Sequence, residues 1–398
     1  MIGAELTKKT IAGPAVANRR SLLALAGVLL LAGCKVIPQG PVEQAPPPPA
    51  KPQAGTLPED QARHRVALLV PLSGMNMNVG QALANATTMA LLDTNAANLR
   101  ITTYDTAGGP SAAATRAIAD GNKLILGPLL GDEVAAVAQV ARPARVPIIS
   151  FSNDARVASP GAFVMGAIPA QSIARTVRYA RAHGANRFAA LIPEGEYGDR
   201  AAAAFRTAVV DAGGLVSAVE TYARGNTSII SAARRLKPGS FDAVLIADGG
   251  RIAALAAPAL RPGKGAKAAG PRILGTELWS GDGAVTGSAA LAGAWFSAVP
   301  DTRFRQFSES YNGRFGAKPY RIATLGYDAV LLTLRVARDW KPGTVFPTGR
   351  LGDRGGFLGL DGPFRFDGQG VVDRAFEVNE VRAGGVTVVS PAPARFQD

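Results

Sequence analysis

The sequence predicts an α/β chain of two lobes, each a parallel sheet flanked by helices. Three observations carry this. From residue 65 onward, apolar runs of strand length alternate with segments of helical period. The first strand-like run, 66–70, is apolar without alternation, as in a strand buried on both faces. About nine such units follow one another, more than one open sheet usually holds, so the chain divides in two.

The first unit sets the pattern. Residues 66–70 form an apolar run that Pro71 ends, and Ser73, Gly74, Met75 and Asn76 make a polar turn. Val79, Leu83, Ala86, Met89 and Ala90 then recur at helical spacing. In parallel sheets the ligand site forms at the carboxyl ends of the strands, which places it at this turn. Further strands are expected at 100–104, 124–126, 147–150, 187–192, 215–222, 243–247, 273–274 and 294–297. Helices are expected near 79–92, 111–120, 132–142, 170–183, 199–212, 227–236, 250–260, 303–313 and 321–338. The break between lobes falls near 163–169, where a strand-like run enters a helix without a turn cluster. Residues 63–168 plus 300–340 are assigned to lobe 1, and 169–299 plus 341–398 to lobe 2. The tail 359–381 reads as short antiparallel strands, with Asp-Gly turns at Asp361–Gly362 and Asp367–Gly368. Several crossings between lobes make a hinge, and a hinge makes a cleft.

The chain of 398 residues is long enough for a sizeable core. It has one cysteine, Cys34, which excludes an intramolecular disulfide and a cysteine metal cluster. With only His64 and His183, histidine catalysis or metal binding is poorly supplied. No cofactor is expected. The net charge of +13 suits an anionic envelope surface, or reflects general arginine enrichment. No basic run is interleaved with aromatics, so nucleic acid is not an expected partner.

The amino-terminal segment reads as an address. Lys8, Lys9, Arg19 and Arg20 precede an apolar stretch at 22–31, about ten residues and too short to span a bilayer. The Leu-Ala-Gly-Cys at 31–34 resembles the lipobox of bacterial lipoproteins. That resemblance implies a signal peptide over 1–33, cleavage before Cys34 and lipid attachment to Cys34. Lys35 follows where inner-membrane lipoproteins often carry Asp, which favours the outer membrane. Residues 34–62 then form a tether; the stretch 35–60 holds eight prolines and prefers extended polyproline II.

The stretches VALLVPLSG, LILGPLLGDE, VPIISFSND, EGEYGDRAAAAF, ILGTELW and GPFRFDGQG, in this order, resemble the type I periplasmic binding proteins of the leucine/isoleucine/valine-binding group. The resemblance spans roughly residues 65–381. It implies two Rossmann-like lobes with a hinge, closing on a small-molecule ligand, and a binder rather than an enzyme. The cleft would be lined by Ser73, Gly74, Met75, Asp105, Gly127, Pro128, Gly131, Asp132, Ser152, Asn153 and Asp154 from the first lobe. Asp105 is equally readable as a helix cap. Tyr197 matches the family's ligand-packing Tyr-Gly position, and Glu277 matches its ammonium-binding acid. The family's carboxylate clamp does not carry over: Gly131 and Asp132 stand where serines are expected, and Asp132 and Asp154 would repel a carboxylate.

Within that fold the chain is similar to the lipoproteins that activate penicillin-binding proteins, which share the LLxPLSG opening, the GPLL turn and a lipobox. That implies a peptidoglycan synthase as partner. The alternative is a substrate-binding lipoprotein serving an ABC permease for amino acids or similar small molecules. Glu194 and Glu196 form the nearest thing to an acid/base pair, and solvated loop carboxylates are the simpler reading. No Gly-x-Ser-x-Gly elbow is present. The basic loop 261–271 lacks the ending of a phosphate loop and reads as a surface loop.

Overall fold

The side chains of β1 (His64–Val70) alternate between two buried faces. Val66, Leu68 and Val70 enter one core, and Ala67 and Leu69 enter another. A strand with no solvent face needs cover on both sides. In this computed structural model, which describes residues 62–225, 227–261 and 270–396, helices provide it. The signal peptide, Cys34, the tether at 35–60 and positions 262–269 of the basic loop lie outside the described residues.

On the first face lies α1 (Met77–Asp93), through Leu83 and Ala90. On the second lie α2 (Pro110–Ala119) and α3 (Gly131–Ala141), through Ala113, Ala117, Val134 and Val137. β2 (Leu99–Asp105), β3 (Leu124–Leu126), β4 (Ile148–Ser150) and β5 (Ala162–Val164) complete a parallel sheet in the order β2-β1-β3-β4-β5. In register, Leu68 pairs with Thr103 on one side and Leu126 on the other. Leu68, Leu69, Leu83 and Leu124 are fully buried. Each contributes roughly 1.5–3 kcal/mol by leaving water.

The chain crosses to the second lobe at residues 165–168 and enters α4 (Pro169–Ala182). There β6 (Arg187–Pro193) repeats the two-faced pattern, with Ala189 and Leu191 in one core and Phe188, Ala190 and Ile192 in the other. It pairs with β7 (Leu215–Tyr222) and β8 (Ala243–Ile246), and β9 (Arg272–Gly275) and β10 (Trp295–Ala298) extend the parallel sheet. α5 (Glu196–Asp211), α6 (Ser228–Arg235), α7 (Gly250–Leu260) and the short α8 (Gly283–Thr286) connect these strands.

The chain then returns. α9 (Thr302–Phe315) packs Phe307 and Tyr311 against Ala82, Ala86 and Met89 of α1. α10 (Thr324–Ala337) packs on α1 so closely that a Cβ on Gly326 would lie 2.5 Å from the Leu83 carbonyl oxygen. Residues 301–340 thus join the first lobe's core. The tail departs from the expected division. Residues 341–398 were assigned wholly to lobe 2, but Phe346, Leu351, Phe357, Phe364, Phe366 and Val372 share the core of β1, β3 and α10. They belong to a three-stranded antiparallel sheet, β11 (Phe357–Gly359), β12 (Gly362–Phe366) and β13 (Val372–Arg374), and to the loop leading into it. Alternation in these strands shows a buried face without saying against which lobe it packs. The β11–β12 turn is Leu360–Asp361, one residue before the expected Asp-Gly pair, because Gly359 and Gly362 are paired. Only after Arg374 does the chain cross again, to add β14 (Glu377–Arg382) antiparallel to β10 and then β15 (Gly385–Ser390). The second sheet runs β15-β14-β10-β9-β8-β6-β7.

The chain therefore makes three crossings between the lobes. The buried Arg374 ties two of them, its guanidinium donating to the Met165 carbonyl at 2.8 Å and its backbone N–H to Gln171 Oε1 at 3.3 Å. Gln171 donates in turn to the Val372 carbonyl.

Candidate functional site

The carboxyl ends of both sheets carry polar turns, and these turns form two walls. On the first wall Asp105 works as a strap. Its Oδ1 accepts the Leu72 N–H at 2.7 Å and the Ala107 N–H at 3.0 Å, and its Oδ2 accepts the Ser73 hydroxyl at 2.8 Å. The Leu72 N–H does most to hold this carboxyl below its usual range. Asp105 thus shapes the turn at Ser73 and Gly74 and has little free capacity for a ligand. Met75 stands in solvent, 99% exposed.

Gly127 approaches β1 so closely, at φ +93°, that a Cβ would lie 2.1 Å from the Leu69 carbonyl oxygen. The following Pro128 offers its carbonyl to the Ser150 hydroxyl at 3.0 Å. Ser150 then accepts the Ser152 N–H at 3.0 Å, and Ser152 accepts the Asp154 N–H at 3.1 Å. This chain of bonds positions 152–154 beside the start of α3, where a Cβ on Gly131 would meet Ser152 Oγ at 3.1 Å. Asp132 faces solvent and accepts the Glu133 N–H at 3.0 Å. Asp154 is buried. Arg156 holds it with Nε at 3.0 Å, the terminal nitrogen at 2.7 Å and the backbone N–H at 3.0 Å. The Arg156 guanidinium accordingly keeps the Asp154 carboxyl down at about 2.

On the second wall α5 starts at the end of β6. Gly198 sits so tightly against β6 that a Cβ would lie 1.6 Å from the Pro193 carbonyl oxygen. Tyr197 lies 3.2 Å from Thr276 Oγ1 and donates to Glu277 Oε1 at 3.3 Å. The Glu277 N–H donates to Ser172 Oγ at 2.9 Å. Glu277 Oε2 is buried with no partner, and burial raises the Glu277 carboxyl above its usual range. Burial, with the Glu277 charge, also raises the Tyr197 phenol. The Arg224 guanidinium stands 5.4 Å from the Tyr197 ring centre and bonds Asp248 at 3.1 Å. Asp248 also accepts the Tyr222 hydroxyl at 2.8 Å.

Arg200 joins the walls. It leaves α5 one turn after Tyr197 and reaches Asp154 at 3.3 Å and Asn153 at 3.4 Å. Tyr197 and Glu277 therefore share one wall, and 152–154 face it through Arg200. Arg156, Arg200, Arg224, Asp248, Ser172 and Thr276 were not among the expected site residues. Arg200 had a signal, since a residue three after Tyr197 shares its helix face. The others become neighbours only through the fold.

Other candidates sort differently. Glu194 and Glu196 are both exposed; Glu194 lies in the loop after β6, whereas Glu196 opens α5 and stands 3.5 Å from Arg200. His64 stacks on Trp340 with ring centres 4.2 Å apart, and His183 Nδ1 bonds the Tyr179 carbonyl at 2.8 Å. Trp279 is core, its indole donating to the Asp248 carbonyl at 2.8 Å. Trp295 carries the Arg272 guanidinium 4.1 Å from its ring centre. Among the described residues no group of three or more His, Cys, Asp or Glu is placed to hold a metal ion. Among them, no helix is long and apolar enough to cross a membrane.

Comparison with known proteins gives the geometry its setting. A family model described as "Periplasmic binding protein" matches residues 64–350. A putative branched-chain amino acid ABC transporter protein of Rhodospirillum rubrum has a similar structure, with TM-score 0.70 and 21% identity over 82% of this chain and 100% of that one. The substrate-binding protein LivJ of Streptococcus pneumoniae, solved with isoleucine, gives TM-score 0.60 and 19% identity over 83% and 100%. A solute-binding protein of R. palustris, solved with 4-hydroxybenzoate, gives 0.61 and 17% over 84% and 98%. At such identities these likenesses show the fold. An uncharacterised protein of Rickettsia prowazekii (strain Madrid E), RP748, is 26% identical over 180 residues, 45% of this chain and 48% of that protein. The match thus spans about half the length of that relative.

Proposed function

Because the chain belongs to the periplasmic binding protein family, we propose that it captures a small carboxylate-bearing solute in the periplasm and delivers it to an ABC permease, with no bond chemistry of its own. The buried, unpartnered Oε2 of Glu277 beside Tyr197 carries this reading. A buried carboxylate oxygen without a donor is unfavourable, and a donor on a bound solute relieves it. Isoleucine and 4-hydroxybenzoate, named with two of the similar structures, both bear a carboxylate. The lipobox at Cys34 supports a lipid-anchored protein, and Lys35 supports the outer membrane.

A thermal-shift screen with isoleucine, benzoate and 4-hydroxybenzoate tests the reading. A ligand at a hundred times its Kd stabilises a protein by about 2.7 kcal/mol, which raises Tm by a few degrees. No shift with any of them removes the support for solute capture. Cys34→Ser tests the anchor: the protein should move from the membrane to the soluble fraction.

A second reading is a regulator that activates a penicillin-binding protein. The observation favouring it is the Arg200 contact, by which the walls already hold each other directly at Asn153 and Asp154. Recovery of a peptidoglycan synthase from crosslinked envelopes would favour it over transport.

A further inference from the structure

Arg200 is one-fifth exposed, yet its polar contacts are poor. Its terminal nitrogens lie 3.3 Å from Asp154, 3.4 Å from Asn153 and 3.5 Å from Glu196, and its Nε is buried with no partner. A charge-assisted hydrogen bond of this kind normally closes to about 2.7–2.9 Å. Neither carboxylate closes it. Asp154 is already engaged in a two-point bond by Arg156 at 2.7 and 3.0 Å. Glu196, 87% exposed, is solvated. A largely covered guanidinium with five donors, a buried unpartnered Nε and no short acceptor is therefore left where the two walls meet.

The chemistry around it suits a small acid. A carboxylate matches the planar fork of an arginine in two-point geometry, and an amide cannot supply that charge. Tyr197 is one turn away on the same helix face, with Glu277 behind it. A solute lying along that turn would meet Arg200 at one end and the free oxygen of Glu277 at the other. The Asp154 charge nearby, already matched by Arg156, opposes the acid less than a bare carboxylate would.

Resting on the reading of the chain as a solute receptor, we infer that Arg200 receives the carboxylate of the ligand and makes the cleft select acids over their amides. The acid end is thus held from the second lobe, not by hydroxyl groups of the first. On binding, Arg200 exchanges its long contacts to Asn153 and Asp154 for a short two-point bond to the ligand.

The test is calorimetry on the full chain with isoleucine, benzoate and 4-hydroxybenzoate, each against its primary amide. Wild type should bind an acid at least about tenfold more tightly than its amide. Arg200→Gln should weaken the acid by about tenfold or more and lose the discrimination. Arg200→Lys keeps the charge without the fork, so it should fall between them; it also decides the question if Arg200→Gln does not fold. Arg206→Gln, on the exposed side of the same helix, should match wild type. An Arg200→Gln protein that keeps both affinity and discrimination overturns the role of Arg200 and leaves solute capture standing. A wild type that binds none of the acids overturns solute capture, and Arg200's role falls with it.

Discussion

Replacing Asp154 by Asn probes the lobe boundary through its pH dependence. The carboxyl is held at about 2, against an ordinary 3.8, chiefly by Arg156. A shift of nearly two units is worth at most about 2.5 kcal/mol at neutral pH. The Arg156 side chain is 74% exposed, so solvent screens a share of this. About 1–2 kcal/mol should remain. Because the folded carboxyl ionises more readily than the unfolded one, the stabilisation is present above about pH 4. It is lost as pH falls towards 2, where folded Asp154 takes up its proton. Asp154→Asn lacks this contribution at every pH. Urea unfolding of both proteins at pH 7, 5, 4 and 3 should show a gap of about 1–2 kcal/mol at pH 7 that narrows below pH 4. A gap of the same size at pH 7 and pH 3 would refute the assignment of this stability to the ionised carboxylate.

Other perturbations have equally definite outcomes. Gly275→Ala would put a Cβ 2.3 Å from the Trp279 indole, which is fully buried and bonded to Asp248. Overpacking of this kind should destabilise by about 1–3 kcal/mol in urea, and a change below 0.5 kcal/mol would show that the indole has room to move. Gly326→Ala should push α10 from α1, because the added carbon lies 2.5 Å from the Leu83 carbonyl oxygen; a lower Tm checks it. Asp328 is buried beneath Gly359, and its carboxyl is raised first by burial and then by the charge of Asp361. The folded state therefore holds this proton more tightly than the unfolded state, and wild-type stability declines as pH rises through the raised value. Asp328→Asn stays neutral, so its stability relative to wild type should improve between pH 5 and pH 8. A constant difference over that range would count against a buried titrating acid.

Much of the architecture was legible because buried parallel strands announce themselves. The spans expected at 124–126, 215–222 and 250–260 coincide with β3, β7 and α7. β3 has no solvent face; β7 exposes Leu215, Ser217 and Thr221 along the sheet edge, and α7 keeps Arg251, Leu255 and Pro258 in solvent, so these two were legible from their strand and helix periods rather than from burial. The antiparallel tail was less legible. GPFRF and VDR show a buried face but not its partner, and that information lies in long-range packing with Phe357 and α10. The candidate site was readable only in pieces. Tyr197 and Glu277 stand 80 positions apart, and no local pattern joins them before the sheet brings β6 and β9 to the same end. Arg200 was passed over because a charged residue in a helix's first turns is usually solvated. Its burial depends on the opposite lobe, which no window of sequence around it contains.

The late arrival of β14 has a consequence for how the protein is made. A nascent chain reaches Trp295–Ala298 long before the segment that pairs along its other flank has been synthesised. Until then that row of backbone donors and acceptors is open to any passing extended segment. A chain cut short before residue 377 keeps both walls of the candidate site but never seals this seam. Premature termination there should therefore yield self-association rather than a smaller folded protein.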